Sequence, residues 1–220
     1  MLTLNNKCGR IKTKNKLPLW SVKMDNAKKH IEKMHKCIEK KMGNGKGAEL
    51  LAKFKNITGN ESPKDIAKWA TSLTKHLEEK IDEKDLIEIR EECACIKANK
   101  YSAYAKKYFP ELRKNNPDDQ DYIKAVANFM NGRGRCGKKV EYIDGKIISH
   151  FGFGNKCVCY IIKGGWEKPP STTWCRCCCG TIKSIYQYVF PDKICHVDII
   201  ETFSTGGNDC IFETWYANKE

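Results

Sequence analysis

The sequence predicts an α+β fold, in which a helical N-terminal region packs on a C-terminal antiparallel-sheet domain with one main helix. Up to residue 131, apolar side chains recur three or four positions apart, which is the period of an amphipathic helix. Past Gly137, short apolar runs alternate with polar residues between glycine-containing turns, which is typical of strands. The change of period near Gly134 therefore divides the chain into a helical region, residues 1–136, and an α+β domain, residues 137–220.

Length and cysteine content narrow the class of protein. The 220 residues contain no run of about eighteen apolar residues and no apolar signal core at the N-terminus. The 13 cysteines, an odd number, favour reduced thiols and metal binding over a disulfide framework. We therefore expect a cytoplasmic protein without a membrane partner. A secreted chain whose export signal had been removed is the alternative.

The formal charge of +13 is concentrated at the N-terminal end. Residues 1–50 hold 13 Lys or Arg against 4 Asp or Glu, whereas residues 151–220 hold seven of each. Such a basic end can bind nucleic acid or form a solvated helix. Lysine exceeds arginine there, aromatic residues are few, and no nucleic-acid-binding motif is present. We therefore expect a solvated helix and no specific nucleic-acid partner.

Six helices are predicted in the first region, and their starts and ends are marked by capping residues and breakers. The first covers 24–42 and ends at the glycine-rich segment 43–47, which lacks the GxxxxGK[ST] pattern and follows a helix, so it is a turn rather than a phosphate-binding loop. A short helix follows over 48–54. Ser62 with Pro63 begins the next helix and Asp82 caps the one after it. Later helices are expected over 102–113, interrupted by Pro110, and after Asn116.

The second half predicts strands around a single main helix. Residues 138–149 form a hairpin with an Asp144-Gly145 turn. A further strand is expected over 155–162 and the main helix over 181–190. Two last strands, 196–201 and 210–215, are joined by a turn-rich linker.

Six of the thirteen cysteines lie between Cys157 and Cys179. Cys157 and Cys159 project to the same face in an extended segment, and Cys175 and Cys177 do the same if their segment is extended too. Two such pairs brought together would give the four thiolates that closed zinc sites prefer. The spacing differs from the common Cys-x-x-Cys form, so it indicates a thiol-rich site without naming a reaction.

A family resemblance covers residues 137–216. Its elements are a cysteine five residues before a glycine, a helix, a strand that ends in Glu, a glycine-rich turn and Cys-hydrophobic-Phe. This pattern resembles the 4-vinyl-reductase-type domain, and the Trp-Cys-x-Cys form is similar to a group of uncharacterised bacterial and archaeal proteins with a helical N-terminal region. The matching positions are Cys175, Gly180, Glu201, Gly206, Cys210 and Phe212.

The resemblance implies a non-enzymatic small-molecule-binding or sensory module with a cysteine-held structural zinc. The implied partner is a small hydrophobic or aromatic ligand. A homodimer is compatible with this interpretation. Two departures are that Thr202 stands where the family often has cysteine and Gly207 where it often has aspartate. The predicted zinc ligands are drawn from Cys157, Cys159, Cys175, Cys177 and Cys210, with Glu201 as a ligand or as a carboxylate that supports one.

The alternative function is a thiol-dependent hydrolase or redox enzyme that uses a cysteine of the 175–179 cluster. Cys178 or Cys179 at a helix start would have a lowered pKa, because the helix dipole and Arg176 both favour the thiolate. Such a nucleophile needs a base, and His150 and His196 lie in the same half of the chain. Buried thiols without any chemistry are the third interpretation.

Overall fold

A computed structural model describes residues 26–58, 61–94, 99–131, 137–151, 157, 159, 161 and 171–219. Within these residues there are seven α-helices and one antiparallel sheet, so the α+β prediction is confirmed. No strand precedes Gly132 in this part of the chain. The helices before the sheet are α1 (Asn26–Met42), α2 (Lys46–Leu51), α3 (Pro63–Lys80), α4 (Glu83–Glu92), α5 (Asn99–Asn115) and α6 (Asp119–Asn131). The remaining elements are β1 (Lys139–Ile143), β2 (Lys146–His150), α7 (Thr172–Tyr186), β3 (Lys193–Glu201) and β4 (Ile211–Asn218).

Two helix starts are capped as the sequence predicts. The hydroxyl of Ser62 accepts a hydrogen bond from the Asp65 N–H at 3.2 Å, with Pro63 as the first residue of α3. A carboxylate oxygen of Asp82 accepts from the Lys84 N–H at 2.9 Å. Each cap satisfies a backbone donor that the first helical turn leaves without an intrahelical partner, which typically contributes about 1 kcal/mol.

The glycine-rich turn between α1 and α2 binds a carboxylate from within the chain. One or the other carboxylate oxygen of Glu39 accepts hydrogen bonds from the N–H groups of Gly45 at 2.5 Å, Gly47 at 2.7 Å and Ala48 at 3.2 Å. A bound phosphate would need the same backbone N–H donors, and the Glu39 carboxylate occupies them. The segment is therefore a helix–helix turn, as predicted.

Helix α5 runs without a break through Pro110, so the predicted interruption at that residue is wrong. Proline removes one helical hydrogen bond and crowds the preceding turn. Ala105 and Phe109, however, are fully buried on the face of α5 that packs against α6 and α7. Burial of this face offsets the local cost and keeps the helix continuous.

The sheet is antiparallel throughout, in the order β1-β2-β4-β3. The predicted hairpin is present, with Asp144 at φ 47° and Gly145 at φ 80°, the left-handed pair that a two-residue turn of type I′ requires. Of the strand predicted over 155–162, the structure describes only residues 157, 159 and 161, and none of these is in a strand. The rest of that prediction lies outside the described residues.

Two hydrophobic cores share the chain. Helices α5 and α6 pack with the sheet and with the later turns of α7, whereas helices α1 to α4 pack around Trp174 from the first turn of α7. The predicted boundary at 136/137 marks the change from helices to strands. Helices α5 and α6 precede this boundary but share their core with the sheet. The division of the chain into two independent domains stays a prediction.

Helix α7 begins at Thr172, well before the predicted start at residue 181. The cysteine-rich run is buried on more than one side of the helix, because Cys177 and Cys179 point about 200° apart and both are buried. Gly180 allows α7 to approach α4 closely, since a Cβ atom there would lie 1.8 Å from the carbonyl oxygen of Glu91. None of the described helices is long and apolar enough to cross a membrane.

Candidate thiol site at one end of the sheet

Three separate chain segments bring cysteines together where β3 ends and β4 begins. Burial raises the pKa of the Cys157 thiol well above its ordinary range, and the nearby thiols of Cys159, Cys210 and Cys175 raise it further. Cys157 and Cys159 are half-buried, whereas Cys175 and Cys210 are buried. Four of the five predicted cysteine ligands therefore lie in one neighbourhood.

Cys175 meets a short chain of hydroxyl groups in the turn after β3. Its sulfur lies 2.8 Å from the Ser204 hydroxyl, which lies 2.8 Å from the Thr202 hydroxyl. Burial raises the pKa of Cys175 to about 12, and the hydroxyl contacts act in the opposite direction. Thr202, which stands where the resembled family often has cysteine, is fully buried and supplies a hydroxyl to this chain.

Cys159 is held at the start of α7. The indole N–H of Trp174 donates to the Cys159 sulfur at 3.5 Å. Trp174 itself is only 1 % exposed and belongs to the core of α1–α4. This contact ties the segment before α7 to the helix that carries Cys175.

Cys210 and Glu201 lie on the two sides of the turn between β3 and β4. Burial raises the pKa of Cys210 to about 11, against the effect of the Phe203 N–H that donates to its sulfur. One Glu201 oxygen accepts from the N–H of Asn208 and, at 3.1 Å, from that of Asp209. Glu201 thus stabilises the turn that leads into Cys210. A glycine suits position 207, because a Cβ atom there would lie 2.2 Å from Glu201 Cγ.

The expectation that Cys175 and Cys177 share a face through an extended backbone is wrong, because both lie in α7. Residues two apart on an α-helix point about 200° apart. Cys177 lies close enough to His30, to Cys93 and also to Cys175 to affect the pKa of each. The helical spacing directs its thiol to a different side of α7 from that of Cys175.

A buried arginine occupies that opposite side of α7. Arg90 is 1 % exposed and donates from Nη2 to the Trp174 carbonyl at 2.7 Å and from Nε to the Thr173 carbonyl at 3.3 Å. Its Nη1 lies 2.9 Å from His30 Nε2, and its guanidinium carbon lies 4.6 Å from the centre of the Trp174 ring. Burial first, and then the Arg90 charge, lower the pKa of His30 to about 3. The imidazole is therefore neutral and accepts from Arg90 at neutral pH.

Among the described side chains, no three or more of His, Cys, Asp or Glu are arranged to hold a metal ion. A groove of about 550 Å³ lies near the β1–β2 turn and is lined by residues that include Lys146, Lys193 and Trp215. Because Trp215 is near the end of β4 and Cys210 precedes its start, this groove lies away from the thiols.

The features that a thiol nucleophile requires are not found at the positions predicted for them. Cys178 and Cys179 lie in the middle of α7 rather than at its start, and burial raises the pKa of Cys179 above its ordinary range. His150 Nδ1 is 3.2 Å from an Asp209 oxygen, and its Nε2 is 3.1 Å from a Glu141 oxygen but outside hydrogen-bond geometry. His196 stacks on Trp215, with ring centres 4.1 Å apart.

Fold and site together define an α+β protein with a thiol-rich junction between its main helix and its sheet. Residues 24–219 match the model of a family described as a family of unknown function, DUF6144, and the chain belongs to this family. No curated protein and no solved structure matches the chain. The likeness to the 4-vinyl-reductase-type domain is not among these matches and stays a prediction.

Proposed function

We propose that this protein is a non-enzymatic small-molecule-binding or sensory module whose C-terminal domain is braced by a structural zinc ion. The proposed ligands are Cys157, Cys159, Cys175 and Cys210. Two contacts carry the proposal: Cys175 Sγ lies 2.8 Å from the Ser204 hydroxyl, in the turn that leads to Cys210, and Cys159 Sγ accepts from the Trp174 indole of the same helix at 3.5 Å. Cys157 is near enough to the other three thiols for them to affect its pKa. Four thiolates are the donor set of closed, structural zinc sites.

The surroundings of the four thiols fit this role. Zinc would hold the four sulfurs at about 2.3 Å from the ion. The Ser204 hydroxyl, at 2.8 Å from Cys175, can donate to a thiolate there, and the Phe203 N–H can do the same at Cys210. Cys177 is left out of the set because it points to the other side of α7. Glu201 is assigned the support of the Cys210 turn rather than a place on the metal.

The proposal also includes the binding or sensing of a small molecule. The resemblance implies that the zinc braces a pocket for a small hydrophobic or aromatic molecule. A closed four-thiolate site has no open position for a reacting molecule, so the metal would stabilise the fold and take no part in catalysis.

Elemental analysis of protein purified without added metal tests the zinc. We expect close to one zinc per chain and a shell of sulfur atoms at about 2.3 Å in X-ray absorption. Chelation should lower the melting temperature, because zinc binding is coupled to folding. The variants Cys175→Ser and Cys210→Ser should both lose the metal.

Two variants serve as controls. Cys195→Ser alters an equally buried thiol of β3 that lies outside the four, and Cys177→Ser alters the thiol on the far side of α7. Both should retain zinc. Metal-free protein, or zinc retained by Cys175→Ser, would overturn the proposal. Metal-free protein with one rapidly alkylated thiol would favour the thiol-dependent enzyme instead.

A further inference from the structure

The outer edge of β3 carries a sequence that complements itself when it is paired in the opposite direction. The strand reads KICHVDIIE, with Val197 at its centre. β3 is the last strand of the sheet, and no described strand pairs with its other edge. We propose that two copies of this chain associate through β3, antiparallel about a two-fold axis at Val197, to form one continuous sheet. Within the regular part of the strand, the pairs that this axis brings together are His196 with Asp198 and Cys195 with Ile199.

The backbone groups at this edge have the spacing that the pairing requires. The Phe151 N–H donates to the Cys210 carbonyl at 2.8 Å, so the even-numbered residues of β4 face β2 and the odd-numbered ones face β3. In the β3–β4 register, His196 lies opposite Trp215 and Asp198 opposite Glu213. Backbone groups alternate between the two sides of a strand. The N–H and C=O groups of Cys195, Val197 and Ile199 therefore point to the outer edge.

The side chains are complementary at the positions where they would be closest. With Val197 opposite its copy, His196 and Asp198 form a pair that shares no backbone hydrogen bonds, and side chains are nearest in such pairs. The two-fold axis makes this contact twice. Ile194 and Ile200, which are 40 % and 56 % exposed, lie on either side of this pair along each strand. Of the three large apolar side chains that are exposed among the described residues, two thus lie on this strand.

Two features of the edge limit the pairing. A β-bulge between Ile199 and Glu201 interrupts the register with β4, so the regular ladder ends at Ile199. Arg176 Nη1 donates to the Val197 carbonyl at 3.4 Å and must give way to the Val197 N–H of the second copy. That hydrogen bond is long, and Arg176 keeps Glu91, 3.8 Å away, as a partner.

Sedimentation analysis of the full chain across a range of concentrations tests the proposal, which does not depend on zinc. We expect a dimer for the native sequence. Asp198→Lys removes the acceptor that faces His196 of the other copy, twice per dimer, and should raise the dissociation constant roughly 10- to 100-fold. The double variant His196→Glu with Asp198→Lys places a carboxylate opposite an ammonium group and should bring the dissociation constant back to within about tenfold of the native value.

Glu79→Lys makes the same charge change on the exposed surface of α3 and should leave the dimer intact. Hydrogen exchange gives a second readout, in which the amides of Cys195, Val197 and Ile199 gain protection as protein concentration rises. A native chain that stays monomeric would overturn the proposal. So would a chain that dimerises only as Arg176→Ala, because Arg176 would then block the edge. A dimer that Asp198→Lys leaves unchanged would place the interface elsewhere.

Discussion

Helix α7 has two unlike sides, although cysteines lie on both. On the side of Cys175, the thiol lies beside the hydroxyls of Ser204 and Thr202. On the side of Cys177, the neighbours are the buried imidazole of His30 and the guanidinium of Arg90. The difference shows that a Cys-x-Cys spacing predicts a shared ligand only when the backbone is known to be extended.

The largest effect is expected from Arg90→Ala on the Cys177 side. The change removes the donors to the carbonyls of Thr173 and Trp174 and the partner of His30, and it leaves a cavity beside the Trp174 ring. We expect the free energy of unfolding to fall by about 4 kcal/mol, measured by urea denaturation.

Ser204→Ala makes the corresponding change on the Cys175 side. It removes one hydroxyl between Cys175 and Thr202 and should cost about 1 kcal/mol in metal-free protein. Equal losses for the two variants would contradict the contrast between the two sides.

Gly180→Ala tests how closely α7 must approach α4 for the Cys177 side to form. The added methyl would meet the Glu91 carbonyl, so one helix must move, and we expect a loss of about 3 kcal/mol. The matched control is Gly206→Ala, at a position with φ 89° and no atom within 4 Å of the added carbon, which should cost only about 1 kcal/mol of backbone strain. If both replacements cost the same, the close approach of the two helices has no energetic consequence.

A smaller effect is expected from pH, and it should come from the Cys177 side. The pKa of His30 is about 3 in the folded protein and 6.5 when exposed, so the unfolded chain binds a proton between these values and the folded chain does not. The His30 contribution to stability is therefore fully present above about pH 7 and is progressively lost below pH 6.5. From pH 7 to pH 5 it should fall by about 2 kcal/mol.

Urea unfolding at both pH values compares the native chain with His30→Gln, which keeps an acceptor for Arg90. The variant should lose less stability between pH 7 and pH 5 than the native chain does. The same decrease in both proteins would show that other groups cause the pH dependence.

The parts of the fold that follow from local chemistry could be predicted from the sequence. Ser62 and Asp82 mark helix starts because a side-chain oxygen in front of an apolar stripe satisfies free backbone donors. Asp144 with Gly145 marks the hairpin because the turn requires two left-handed residues. Neither inference needs a residue that is distant in the chain.

The parts that depend on distant contacts could not be predicted. Proline at 110 and a run of cysteines both argue against helix locally, and burial against other elements decides the outcome at each. For the site, the assignment of Cys157, Cys159, Cys175 and Cys210 as metal ligands stays a prediction. The sequence could not place Cys177, because the direction of that thiol depends on where α7 begins. Arg90 and His30 were missed altogether, since nothing in a surface-like charged helix indicates that one arginine is buried.

The position of α7 in both cores has a consequence for cooperativity. Trp174 in its first turn completes the core of α1–α4, while Cys179, Ile182 and Tyr186 further along belong to the core of the sheet. Loss of this helix would open both cores at once, so neither can melt while the other stays intact. Denaturation should follow a single transition, and a fragment cut at residue 136 would lack the tryptophan around which its own helices close.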